Sequence, residues 1–335
     1  MTTARLKILS GAGATLQDAG RHGYMRYGVT PAGPMDPLAF ATANRALGND
    51  LGATAVEVSV GGLSVAAEGP LDVAIAGGGF RIEHDGRALP SNVALTLKPD
   101  SVLTLKAGAN GAWGYLAVGG GIDVAPTLGS AATHTRSGFG GLDGRALRAG
   151  DALTLKDARA SVGEPAAMTV PWLDRRPDRI RVVLGPQADA FAPDDIEAFL
   201  NEGWTVTARG DRMACFLKGR PLRHAAGHDI VSDGIAMGAI QVPGDGLPIV
   251  LMADRQPTGG YPKIATVIGA DLGRLAQVQA GGVVRFAAVS IEEAVAARRA
   301  ERDALEPAIR LDPVVRTAFS SEFLLGLNLI DGVTA

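Results

Sequence analysis

Within ten positions the sequence sets a carboxylate (Asp254), a guanidinium (Arg255), an amide (Gln256), a hydroxyl (Thr258), two glycines (Gly259, Gly260), a phenol (Tyr261) and an ammonium (Lys263). They follow an apolar run, 249–252 (IVLM), that reads as a strand. The polar groups therefore leave one strand end together, beside glycines that expose backbone N–H groups. Such a set suits holding a small polar substrate and stabilising negative charge as it develops. Strand alternation would send Arg255 and its neighbours to opposite faces, one of them the pocket. Its planar fork can grip a carboxylate or oxyanion in a way that lysine cannot. Gln241, near the start of the same block (238–268), adds a second amide. The plainer reading is a polar hairpin tip whose charges are solvated; the variety of donors and acceptors favours a site.

Other chemistry is thin. No Gly-x-x-x-x-Gly-Lys-Ser/Thr loop is present to cradle nucleotide phosphates. The clusters Gly77-Gly78-Gly79 and Gly119-Gly120-Gly121 lack dinucleotide spacing and read as tight turns or close backbone approaches. His224 and His228 are four apart, but Ala-Ala-Gly between them and the following 230–231 read as a loop entering a strand, and no third ligand is evident, so no metal site is expected. Cys215, the one cysteine, lies in an apolar run and reads as a buried inert thiol. No Gly-x-Ser-x-Gly elbow occurs.

The elements that must position these groups are mostly strands. Short apolar or β-branched runs recur at 71–76, 93–97, 102–106, 113–118, 181–184, 204–208 and 283–287, punctuated by many of the 45 glycines and 19 prolines. That density reads as barrels or sandwiches. Helical spacing is found at 37–47, with Asp36 as cap and Pro37 at the first position, at 193–200, and at 291–305. Hydrophobic residues make up 47% and charged residues 20% of 335, so the chain folds, and its length suits two domains. The stretch 163–178 has three prolines and no alternation and is the best linker. It divides a first β unit (1–163), linker (164–178), second β unit (179–290), and a helix with tail (291–335). Faint echoes between the halves, Gly-Pro before a helix in each, suggest two related barrels in tandem. Net charge is −3 with scattered basic residues, which disfavours nucleic acid as a partner. Apolar runs far shorter than a bilayer span, no leader-like N-terminus and one cysteine point away from membranes and to the cytoplasm.

Several long motifs occur in one order: LQDAGRHGYMRYGVTPAGPMDPLAFATANRALGN (16–49), GFGGLDGRALRAGD (138–151), LGPQADAF (184–191) and VPGDGLPIVLMADRQPTGGYPKIATV (242–267), continuing to NLIDG (328–332). Together they resemble the biotin-dependent carboxyltransferase family of the KipA and PxpC proteins (the 5-oxoprolinase C subunit, or allophanate hydrolase subunit 2), related to the carboxyltransferase region of urea carboxylase. Two departures stand out. His22 replaces a usual proline, and Met213-Ala214-Cys215 replaces a commoner Met-Gly-Tyr.

The resemblance implies a mainly β fold of two tandem cyclophilin-like β-barrel domains with a few short helices. It implies a KipI/PxpB-type partner and, for a 5-oxoprolinase, a further lactam-utilisation-type (PxpA-like) subunit. It also implies ATP, and biotin where it is used, supplied through other subunits, since this chain has neither a phosphate loop nor an Ala-Met-Lys-Met biotinylation site. In that setting Asp254, Arg255, Lys263 and Tyr261 are the expected catalytic residues, with Gln241, Gln256, Thr258, Gly259 and Gly260 binding substrate. Three readings follow: a subunit of an ATP-dependent 5-oxoprolinase, a carboxyltransferase subunit acting on urea or a similar small amide, and a regulatory protein antagonising a KipI-type kinase inhibitor.

Overall fold

A computed structural model describes residues 5–174, 179–225 and 227–315. In its first half two antiparallel sheets face each other. One runs in the order Ala152–Thr154, Arg5–Ser10, Leu63–Ala67, Val102–Lys106, Arg81–His84, Arg87–Leu89. The other runs Thr15–Gln17, Ala55–Val58, Gly114–Val118, Leu71–Ala76, Val93–Leu97, Ala166–Thr169, Arg310–Pro313. Leu6, Ile8, Val65, Val73, Leu95, Leu103 and Leu116 fill the space between them. Strands Leu71–Ala76 and Gly114–Val118 are buried on both faces, because helix α1 (Pro37–Ala46) covers the outer side with Ala39, Phe40 and Ala43. This is why those strands read as continuous apolar runs. Asp36 caps α1 by accepting a hydrogen bond from the Ala39 N–H (3.2 Å), and Pro37 takes the first position, as the sequence predicts.

The second half closes a barrel. Its eight-stranded sheet runs Val283–Val284, Trp204–Val206, Ala214–Lys218, Ile249–Leu251, Ala239–Gln241, Lys263–Val267, Ile180–Leu184, Phe286–Ala288. The two edge strands are consecutive pieces of one segment broken at Arg285, so the sheet wraps round and nearly joins itself. Closure leaves little free edge. Phe199, on helix α2 (Pro193–Asn201), stacks on Phe286 with ring centroids 4.6 Å apart, and its carbonyl accepts from the Trp204 indole N–H (2.9 Å). A short helix α3 (Leu272–Ala276) and the capped α4 (Ile291–Asp303) complete the unit. The fold class is thus mainly β, two tandem barrel-like units with few short helices. No helix among the described residues is long and apolar enough to cross a membrane.

Some expectations shift. The stretch expected as a linker carries a strand, Ala166–Thr169, that pairs with Val93–Leu97 and with Arg310–Pro313, so the chain after α4 returns to the first unit. Four residues are too few for alternation to show in sequence. Residues 230–231 are not a strand; Val231 is 92% exposed, and the pairing falls at Asp233–Gly234 with Thr258–Gly259. The strand at 204–208 ends at Val206. The NLIDG motif (328–332), and residues 175–178 of the linker, lie outside the described residues.

The units meet along a polar seam. Gln277 is saturated there: its Oε1 accepts from the Ala112 and Trp113 N–H groups (2.9 and 3.0 Å) while its Nε2 donates to Asp36 and to the Trp113 carbonyl (3.0 and 2.8 Å). At the centre Arg212 donates from Nε and Nη2 to both oxygens of Asp254 (2.9 and 2.8 Å), from Nη1 to Glu57 of the first unit, and from Nη2 to the Gly33 carbonyl (2.7 Å). Burial alone would lower its pKa, but Glu57 and Asp254 hold it well above the usual arginine value. Arg212→Ala would strand two buried carboxylates and should cost about 3–5 kcal/mol in a urea melt. Arg212→Lys, lacking the fork, should recover less than half of that loss.

Candidate functional site

The strand Ile249–Leu251 stops short of the polar cluster, and residues 253–254 form a turn. Alternation therefore does not decide where Arg255 points. The turn does, because Asp254 is pinned by Arg212 on one side and the Arg255 N–H donates back to the Met252 carbonyl (3.3 Å). Arg255 is turned inward and is 6% exposed. Its Nε donates to the Ile235 carbonyl (3.0 Å), its Nη1 to the Met252 carbonyl (3.5 Å) and its Nη2 to the Met25 sulfur of the first unit (3.6 Å). Burial pushes its pKa down to about 10. No carboxylate is among these partners. Next to it, the Gln256 Oε1 is buried without a hydrogen-bond partner among the described residues.

Lys263 reaches the segment whose Ile235 carbonyl Arg255 holds. Its ammonium, 4% exposed on strand Lys263–Val267, donates to Asp233 (2.8 Å), two residues before the carbonyl that Arg255 holds. That hydrogen bond, first among several contacts, holds the Asp233 carboxyl below its usual value. Thr258 and Gly259 pair with Asp233 and Gly234, and the Gly260 carbonyl accepts from the Ile230 N–H (2.8 Å). A Cβ on Gly259 would stand 2.7 Å from Gln241 Nε2 and 2.6 Å from the Ile235 Cδ1, so a larger residue here would have to move the ends of those two side chains. Gln241 is buried and donates to the Tyr261 carbonyl (3.4 Å), supporting the turn, while the Tyr261 ring is 40% exposed.

Two of the expected basic side chains, Arg255 and Lys263, thus contact one short segment, 233–235, at the Ile235 carbonyl and at the Asp233 carboxylate. Asp254 is held by Arg212 through both of its carboxylate oxygens. Arg212, Glu57 and Met25 give no local signal in the sequence, because their partners lie 42 to 230 positions away. Arg21 and His134 are equally silent. Arg21 is buried, donates to the Thr127, Ser130 and Ala132 carbonyls (2.8, 3.2 and 3.0 Å) and lies over the Phe139 ring (4.6 Å). His134, beside Phe139, has both ring nitrogens buried without partners among the described residues.

Two clefts open along the seam. One, about 710 Å³, is walled by Gly77, Gly78, Asn92, Asn110 and Gln277. The other, about 690 Å³, is lined by Met35, Trp113, Thr207, Arg212, Cys215 and Met252. Arg255, Lys263 and Tyr261 line neither, yet Arg212 and Met252 join the second to the candidate site. The half-buried Cys215 thiol is pushed up to about 12 by burial, which keeps it protonated at neutral pH. His224 is held instead by the Val242 carbonyl (3.0 Å) and the Phe191 ring. Among the described residues no group of three His, Cys, Asp or Glu side chains is placed to hold a metal.

The chain is 39% identical to the 5-oxoprolinase C subunit of Escherichia coli over 88% of its own length and 94% of that protein. It is 34% identical to the urea amidolyase of Saccharomyces cerevisiae over 85% of its length, which there makes up 16% of a much longer chain. The crystal structure of the Kluyveromyces lactis urea amidolyase superposes with a TM-score of 0.84 at 28% identity, covering 91% of this chain and 20% of that one. The family pattern of the carboxyltransferase domain, subdomains A and B, matches residues 27–288. With that match spanning both barrel-like units and the seam between them, this chain belongs to the carboxyltransferase domain family.

Proposed function

We propose that this chain is a subunit of an ATP-dependent 5-oxoprolinase, opening 5-oxoproline to glutamate together with a KipI/PxpB-type partner and a lactam-utilisation-type subunit. The observation that carries this reading is coverage. The likeness to the 5-oxoprolinase C subunit extends over 94% of that protein, whereas in the urea amidolyase it falls on a small part of a multi-region chain. A carboxyltransferase role on urea or a similar amide is the second reading, favoured by the structural match to the urea amidolyase. In either case ATP, and biotin where it is used, come through other subunits.

The roles of the residues follow from their surroundings. Arg255, a buried guanidinium with no carboxylate partner among the described residues, offers charge-assisted hydrogen bonds to an anionic group or a developing oxyanion. Lys263, held by the exposed Asp233, supplies a second positive charge beside the 233–235 segment. Asp254 fixes the turn that aims Arg255. Gln241, Gln256, Thr258, Tyr261 and the Gly259-Gly260 turn shape the pocket and hold the amide in line.

The isolated chain should show neither 5-oxoproline turnover nor ATP hydrolysis; both should arise when the chain is combined with its partners co-purified from the native host. Robust turnover by the pure chain would overturn the incomplete-subunit reading. In the reconstituted assembly, Arg255→Ala and Arg255→Lys should each lower the rate roughly 30- to 1000-fold, the equivalent of about 2–4 kcal/mol, while partner binding persists. Full activity of either variant would remove Arg255 from the site.

A further inference from the structure

Met25 stands where an acceptor for Arg255 belongs. A guanidinium has five N–H donors, and burying one is costly unless charge and hydrogen bonds compensate it. Arg212 meets that demand with Glu57 and Asp254, and Arg21 meets it in part, with three carbonyls within 3.2 Å, the fields of Asp18 and Asp254 and the face of Phe139, while its Nη1 is buried without a hydrogen-bond partner among the described residues. Arg255 has one carbonyl at 3.0 Å, one at 3.5 Å, and, at Nη2, the thioether of Met25. Thioether sulfur is a weak acceptor on an adaptable side chain, so a carboxylate oxygen would displace it readily.

The segment that carries Met25 is built to let this happen. Its ends are fixed: Arg21 is buried, and Thr30 is buried with its hydroxyl donating to the Ala253 carbonyl (3.3 Å). Between them, residues 22–29 are half-buried or exposed, around a single 3-10 turn, Met25–Tyr27. Gly23 and Gly28 flank that turn at φ of +89° and +80°, with open space where a Cβ would stand. The turn can therefore shift without unpacking either anchor.

We propose that Nη2 of Arg255 is the seat for the carboxylate of the substrate, a small cyclic amide bearing an acid group, and that Met25 occupies this seat until the carboxylate displaces its sulfur. This rests on the function proposed above and narrows it. A site so arranged favours anionic amides over a neutral one such as urea, whose carbonyl can accept a hydrogen bond but brings no negative charge to Arg255. Met25 is then a specificity-determining residue that holds a buried cation in an empty site.

The test plants the missing carboxylate in the chain itself. At pH 7, Met25→Glu should melt roughly 2–4 °C above Met25→Gln, and the difference should vanish when either is combined with Arg255→Gln. The wild-type chain should be stabilised by 5-oxoproline and not by 2-pyrrolidinone, its neutral counterpart, with Arg255→Gln losing the response. A Met25→Glu chain melting at or below Met25→Gln would overturn the proposal. If Met25→Glu stabilises but 5-oxoproline does not, the carboxylate seat stands and the 5-oxoprolinase reading falls. If the Arg255→Gln assembly opens 5-oxoproline at the wild-type rate, the function stands and the seat falls.

Discussion

Arg212 carries a positive charge into the seam between two β units, where burial makes an unmatched charge costly. Glu57 from one unit and Asp254 from the other supply the match, and the Gly33 carbonyl takes a remaining donor. Removing Arg212 leaves two buried carboxylates without their cation, so the contact fixes the geometry of the seam more strictly than apolar packing would. Apolar surfaces tolerate sliding. A bidentate fork to a carboxylate does not.

The consequence reaches the candidate site through the backbone. Asp254 and Arg255 are neighbours, so locking the Asp254 carboxylate sets the turn from which Arg255 enters the interior. The two arginines then stand in opposite electrostatic conditions. Arg212 has two carboxylates and a raised pKa, while Arg255 has only neutral acceptors among the described residues and a lowered one. Fully compensated charge holds the fold together; under-compensated charge is available to a ligand.

The barrels supply rigidity around this contrast. Strand Lys263–Val267 lies in the middle of the eight-stranded sheet between Ala239–Gln241 and Ile180–Leu184, so Lys263 is delivered from a strand paired on both sides. The segment that Lys263 and Arg255 both contact is lighter, a two-residue pairing of Asp233–Gly234 with Thr258–Gly259. Across the seam the first unit reaches the Arg255 side chain through the Met25 segment, anchored at Arg21 and Thr30.

Local pattern was enough for much of the fold. Asp36-Pro37 announced a capped helix, continuous apolar runs marked doubly buried strands, and the polar block after 252 drew attention to Arg255 and Lys263, because each of these signals lies within a few consecutive residues. Four-residue strands without alternation, the break of one strand at Arg285 that closes the barrel, and the return of 310–313 to the first unit carried no such signal. Pairing is decided by which edges meet, not by the residues of one strand. The sequence alone also allowed Asp254 and Arg255 equal standing as catalytic groups. Only the tertiary structure gives them different surroundings, since Arg212 comes from 42 positions earlier to pair with Asp254, while Arg255 turns inward to meet a methionine 230 positions away. Whether a buried charge is compensated depends on what long-range packing brings within about 4 Å of it, and that distance is not written in the order of the residues.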